Sequence, residues 1–302
     1  MCIRDRGEHI KGSPFAVTVK LPVQKLGTPI KTITGMKNPW GVAVNQRGDI
    51  FISENTEHCI SIFSPTGEKL RSFGSHGSGH GKFIYPRGVT LDDDGNILVT
   101  DKGNHCIQKF TQDGEYITTV GKNGSQFLEF NSIRGIAIHP LNKKVYVVDS
   151  NNHRIQILNP DLTFSSSFGS FGSDSGQFQY PYDVAFDSTG NVYVVDSINK
   201  RIQVFTAKGE ILRKFGKSGK DDEENEELNW PFSISIDSNN VVYVTDRNND
   251  RVSVFTHEGK FLASFGTYGS GPGEFDRPYG IAVDKNGVVY VIDACNNRLQ
   301  LF

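Results

Sequence analysis

Apolar positions along this chain fall into short runs of four to six residues, separated by clusters of Gly, Asn, Asp and Ser. The stretch 183–216 shows the pattern: DVAF, NVYVVD, RIQVF and EILRKFG, joined by DSTG, SINK and TAKG. β-branched and aromatic residues bounded by turn formers predict four successive strands joined by tight turns. No segment sustains a 3.6-residue apolar period, which excludes a helical solenoid.

The four-strand unit recurs. The acidic residue that ends the second strand stands at Glu54, Asp101, Asp149, Asp196, Asp246 and Asp293, in steps of 47, 48, 47, 50 and 47. The glycine that closes the unit stands at Gly74, Gly121, Gly169, Gly216 and Gly266, with matching steps. Four antiparallel strands in a period of about 45 residues predict one blade of a β-propeller. The fold class is therefore all-β: a six-bladed β-propeller of four-stranded antiparallel blades, at about 39–74, 86–121, 133–169, 181–216, 231–266 and 278–302. The last blade stops after its third strand. Leu26–Gly35 reads as a fourth strand without a blade, so it is expected to complete the last blade and hide an open edge. The propeller then occupies 21–302, six periods of 47.

Composition narrows the function. A net charge of -2 gives no bulk drive toward nucleic acid or membranes, and leaves room for a local basic patch. The four cysteines, Cys2, Cys59, Cys106 and Cys295, form no CxxC pair, and their sparseness fits a reducing, cytoplasmic setting. No apolar run approaches the roughly 20 residues of a membrane span, and Met1–Arg6 lacks a signal-peptide core and reads as a non-native start.

The repeat pattern P-x-G-[VI]-A-[VF]-D … G-x-[VI]-x-V-x-D-x-x-N-x-R-[IV]-Q-[VI]-F … FG, clearest at 181–216 and 278–302, resembles the NHL repeat, and so do linkers such as GSFGSDSGQFQYP. GEHIKGSPFAVTVK (7–20) resembles the last strand of a filamin-type immunoglobulin domain, placing a truncated domain in residues 1–20. Filamin followed by NHL is similar to the tripartite-motif family of RING, B-box and coiled-coil proteins. The resemblance implies a recognition module binding RNA or protein, within a RING-type E3 ubiquitin ligase or post-transcriptional regulator. Zinc would belong only to the absent RING and B-box domains. For this chain it implies no catalysis, cofactor, small-molecule substrate or membrane, and a propeller that is monomeric by itself.

Propeller geometry places the inter-blade linkers and the turns between second and third strands on one face, here called the top; by the same resemblance, that face carries the ligand. One residue per blade follows the start of the innermost strand: Trp40, Arg87, Arg134, Tyr182, Phe232 and Tyr279. This ring is expected around the channel mouth. Aromatics and Arg stack on bases, pair with phosphate or anchor protein hot spots; the competing role for the aromatics is to seal neighbouring blades. Arg87 and Arg134 are expected to be exposed, because Arg is rarely buried unpaired. Lys82, Tyr85, Lys102, His105, Lys122 and His153 fall on the same face in blades one to three, as a phosphate-facing patch or an ordinary solvated rim. The run KDDEENEEL (220–228), with six carboxylates, opposes phosphate locally.

Other motifs read as architecture. Asp149/Arg154, Asp196/Arg201, Asp246/Arg251 and Asp293/Arg298 recur in four blades, whereas a catalytic pair is needed once. His58, His105 and His153 share one repeat position in three blades, where their side chains diverge rather than converge on a metal. Two alternatives to a recognition module stay open: a catalytic propeller, lyase or hydrolase, with a channel metal site, and a structural scaffold.

Overall fold

The computed structural model describes residues 27–216 and 227–302. The segment 1–6 expected to be a non-native start, Cys2, the expected filamin-like strand at 7–20, the expected 21–26 start of the propeller and all of the acidic run except Glu227 and Leu228 lie outside the described residues.

The described chain forms six four-stranded antiparallel sheets. In the first, Pro39–Val44, Ile50–Glu54, Cys59–Phe63 and Lys69–Phe73 follow one another from centre to rim. The innermost strand of each blade touches that of the next, and blade six returns to blade one. The last blade holds Pro278–Val283, Val289–Asp293 and Arg298–Leu301, with Lys31–Ile33 as its fourth strand. That strand pairs antiparallel to Arg298–Leu301, with Ile33 opposite Leu299, so the ring closes with strands from both ends of the chain.

Burial explains the apolar runs. Every second strand is buried along its full length, because each sheet is packed between two others. The core is six clusters between neighbouring blades; Phe51 packs toward blade two while Ile50 and Ile52 pack toward blade six. Outermost strands such as Lys69–Phe73 are largely exposed. The closing glycines bring the chain tightly round: Gly169 has φ +99°, and a Cβ there would lie 2.5 Å from the Phe178 ring.

The Asp-x-x-Asn-x-Arg units hold the top-face linkers. Asp196 accepts hydrogen bonds from the Gln179 amide (2.8 Å), Asn199 Nδ2 (2.9 Å), Arg201 Nε (2.7 Å) and Gln203 Nε2 (3.1 Å). Arg201 donates onward to the Ser173, Asp174 and Gln177 carbonyls. One buried ion pair thus satisfies a linker that has no sheet partners of its own. In blade two Cys106 stands where Arg201 stands in blade four, and no cation reaches Asp101 among the described ion pairs. Cys106→Arg is expected to raise stability by about 1 kcal/mol, a few degrees in Tm, as the guanidinium meets Asp101 and the linker carbonyls. Thermal unfolding checks this; a lower Tm would mean that the site cannot hold the larger side chain.

Candidate functional site

Each innermost strand carries a β-bulge at its top end, between Pro39 and Val42 in blade one and at the equivalent place in the other five. Bulges re-aim side chains, and here they point the six ring residues over the channel. Trp40 lies 4.7 Å from Phe232 and 4.6 Å from Tyr279, ring centre to ring centre, both edge-on. Phe232 and Tyr279 are stacked at 4.3 Å, and Tyr182 meets Phe232 at 4.9 Å. The Arg87 guanidinium lies 3.3 Å from the Trp40 ring centre, Arg134 lies 3.8 Å from Tyr182 and 5.9 Å from Trp40. The sequence-expected ring is therefore one cluster, in which the aromatics pack on one another and the two arginines stack on them.

The expected exposure of Arg87 is corrected. It is only 7% exposed, because the indole and neighbouring rings cover its apolar faces, and its Nε and Nη1 have no hydrogen-bond partner. Burial first, and then the Arg134 charge, lower its pKa to about 9. Arg134 is half-buried, donates from Nε to Ser150 Oγ (3.2 Å), and is also pulled below its usual range by burial. Backbone anchors fix both: the Ser53 hydroxyl donates to the Arg87 carbonyl and the Thr100 hydroxyl to the Arg134 carbonyl.

A second ring surrounds the first, formed by the residue after each second-strand acid: Asn55, Lys102, Ser150, Ser197, Arg247 and Ala294. Lys102 is half-buried, its ammonium lowered by burial and then by Arg87 and Arg134. Arg247 lies 5.5 Å from the Tyr279 ring centre and 5.8 Å from that of Trp230. Sequence reasoning missed Arg247; aligning this repeat position as the first ring was aligned would have found it.

The remaining sequence-expected residues lie around this cluster on the seams between blades, with Tyr85 near enough to Arg87 to act on its charge. Tyr85 and His153 serve two equivalent latches: the Tyr85 amide donates to His58 Nδ1 (3.1 Å), and the Tyr180 amide to His153 Nδ1 (3.2 Å). His105 Nδ1 is buried without a partner. Lys122 is paired with Glu129 at 3.3 Å, and Lys82 is exposed beside its linker. Among the described residues no His, Cys, Asp or Glu group could hold a metal ion, and Cys59, Cys106 and Cys295 are free thiols.

Below the mouth runs a channel of about 310 Å³, lined by Gly41, Gly88, Gly135 and Gly280 and by small apolar side chains. Among the described residues Asp183 is its one lining carboxylate, and no imidazole lines it. Part of Asp183 touches the lumen, yet protein surrounds it on every side; burial raises its pKa to about 6 despite hydrogen bonds from the Ser233 hydroxyl and the Val184 and Ile234 amides. A carboxyl with a folded pKa above its unfolded value of about 3.9 destabilises when ionised. That penalty is full above the folded value and gone below the unfolded one. Asp183→Asn is therefore expected to gain on the parent in Tm as pH rises from 4 to 7; a difference that stays constant would refute this.

An NHL repeat family model matches residues 36–63, 83–110, 130–158 and 178–205, and a 6-bladed beta-propeller family model matches 234–302. This chain is an NHL-repeat β-propeller. The E3 ubiquitin-protein ligase TRIM71 of Rattus norvegicus is 36% identical over 69 residues, a match covering 20% of the NHL propeller chain and 8% of that protein. The match spans a small share of this relative's length. Among solved structures, virginiamycin B lyase from Staphylococcus aureus has a TM-score of 0.62 at 15% identity, over 90% of this chain and 87% of that one. A gluconolactonase from Xanthomonas campestris has a TM-score of 0.65 at 13% identity, over 89% and 88%. At such identities the likeness is one of fold alone.

Proposed function

We propose that this NHL propeller is a recognition platform, which captures an RNA or protein partner on its top face for a longer parent protein. The observation that carries the reading is the channel mouth. There Arg87 is buried with two unpartnered nitrogens beside Arg134, and neither arginine nor Lys102 takes part in a described ion pair. Buried donors are ordinarily satisfied, so this constellation is built to receive a group from outside. The match to TRIM71 supports a parent that is a RING-type ubiquitin ligase of tripartite-motif type, with this chain recruiting its target. A catalytic channel has less support, since among the described residues Asp183 is the one carboxylate lining the lumen and no imidazole joins it.

The test is crosslinking to bound RNA and protein in cells, comparing the chain with an Arg87→Glu/Arg134→Glu variant shown to be folded by its thermal transition. Recovery of at least one RNA or protein class is expected to fall at least tenfold. Undiminished recovery of every RNA and protein would remove the mouth from the function.

A further inference from the structure

We infer that the channel mouth is a carboxylate-capture subsite, taking an acidic side chain from a protein partner between Arg87 and Arg134. The inference rests on the recognition reading and names the chemistry of its ligand.

The guanidinium of Arg87 is held flat on Trp40 at 3.3 Å, so its faces are covered and only its edge donors remain for a ligand. Nε and Nη1 are the unpartnered atoms, and Nη2 stands beside each of them, with Nε along the side of the fork and with Nη1 at its end. An Arg edge with two parallel N–H groups matches the two oxygens of a carboxylate. Arg134, stacked 3.8 Å from the Tyr182 ring centre, is the second guanidinium of the mouth. It uses Nε on Ser150 and makes no described hydrogen bond from its terminal nitrogens. Lys102 stands beside the pair from the second ring, and Arg247 adds a further cation to the mouth next to Tyr279.

That grouping distinguishes a point-like acid from a nucleic-acid strand. A strand presents phosphates in regular succession, and its binding draws on several Lys and Arg along a track. Away from the mouth the described charges of this face are mixed. Lys122 is paired with Glu129 at 3.3 Å and Lys37 with Glu57 at 3.0 Å, while Lys82, Lys200 and Arg277 are exposed and scattered over separate blades. A mixed rim around a cationic, aromatic-lined centre suits one or two acidic side chains arriving on a peptide, with the aromatics covering the neighbouring methylenes.

The experiment uses the full 302-residue chain and three probes: a hexaglutamate peptide, a hexaglutamine peptide and an octauridylate RNA. Binding is read by calorimetry and by quenching of tryptophan fluorescence, since Trp40 underlies Arg87. Hexaglutamate is expected to bind, hexaglutamine not to bind, and Arg87→Ala to weaken hexaglutamate at least tenfold. Arg87→Lys, which keeps the charge without the planar fork, is expected to recover only part of the loss and guards against a folding defect. Octauridylate binding without hexaglutamate binding would overturn the inference and leave the recognition platform standing. Hexaglutamate binding insensitive to both Arg87→Ala and Arg134→Ala would also overturn it. If the crosslinking recovery is undiminished as well, the recognition reading falls with it.

Discussion

Replacing Arg201 by alanine is expected to destabilise the propeller by about 3–5 kcal/mol, the usual cost of stranding one member of a buried ion pair. The Asp196 carboxylate is fully buried and Arg201 nearly so, and the guanidinium both neutralises it and holds three linker carbonyls. Without it, a charge stays in the protein interior and three acceptors lose their donor. The sign of the pH dependence follows. In the variant, Asp196 binds a proton more readily than in the parent, so the stability gap is expected to be widest near neutral pH and to narrow as pH falls. Urea unfolding at pH 7.5 and 5 measures both effects. Lys208→Ala, at an exposed turn, is the control and should change stability by no more than about 0.5 kcal/mol. A loss for Arg201→Ala no larger than that control would show that the ion pair is ornamental.

Removing the closing strand is expected to have the other large effect. A chain that begins at Met36 lacks Lys31–Ile33, leaving the edge of Arg298–Leu301 unpaired and part of the last inter-blade core open. Ile33 is buried there in one cluster with Met36, Ile50, Leu299 and Leu301. The truncated chain should melt about 10 °C or more below the parent and self-associate as concentration rises, because a bare strand edge is a template for pairing. Ile33→Asp places a carboxylate among those apolar side chains and should reproduce the loss of stability while keeping the backbone. Thermal melts and size-exclusion chromatography over a range of concentrations decide it. A monomeric truncated chain with an unchanged melting temperature would mean that the ring does not depend on this closure.

Much of the architecture was legible along the chain because its signals are local. Strand runs such as NVYVVD are bounded by turn residues, and Gly169 or Gly216 marks each return. Repetition multiplied these weak signals six times. The closing strand was legible for the same reason: it matched a repeat position that the last blade lacked. The candidate site was half legible. Its six inner residues follow one repeat position, but their state does not. Sequence preference placed Arg87 in water, where an isolated guanidinium belongs, whereas the bulge and the Trp40 indole bury it. Arg247 went unnoticed because it neighbours the ring in space across blades five and six, and not along the chain. Lys82, Lys122, His105 and His153 share the face but not the mouth, since their repeat positions lie on linkers and seams, whereas Tyr85 stands at its edge beside Arg87.

The amino-acid sequence by itself determined the number of blades, the strand order within each and the identity of the residue offered at each ring position. Apart from the closing pair of Lys31–Ile33 with Arg298–Leu301, these depend on contacts within one repeat, which the repeat prints directly into the chain. Only the tertiary structure decided that two arginines share one aromatic bed, that two nitrogens of Arg87 stand without partners, and that Asp183 is the one described carboxylate in the channel wall. Those properties arise where six blades meet at one axis, and charge, burial and stacking there depend on distances between residues far apart in the chain.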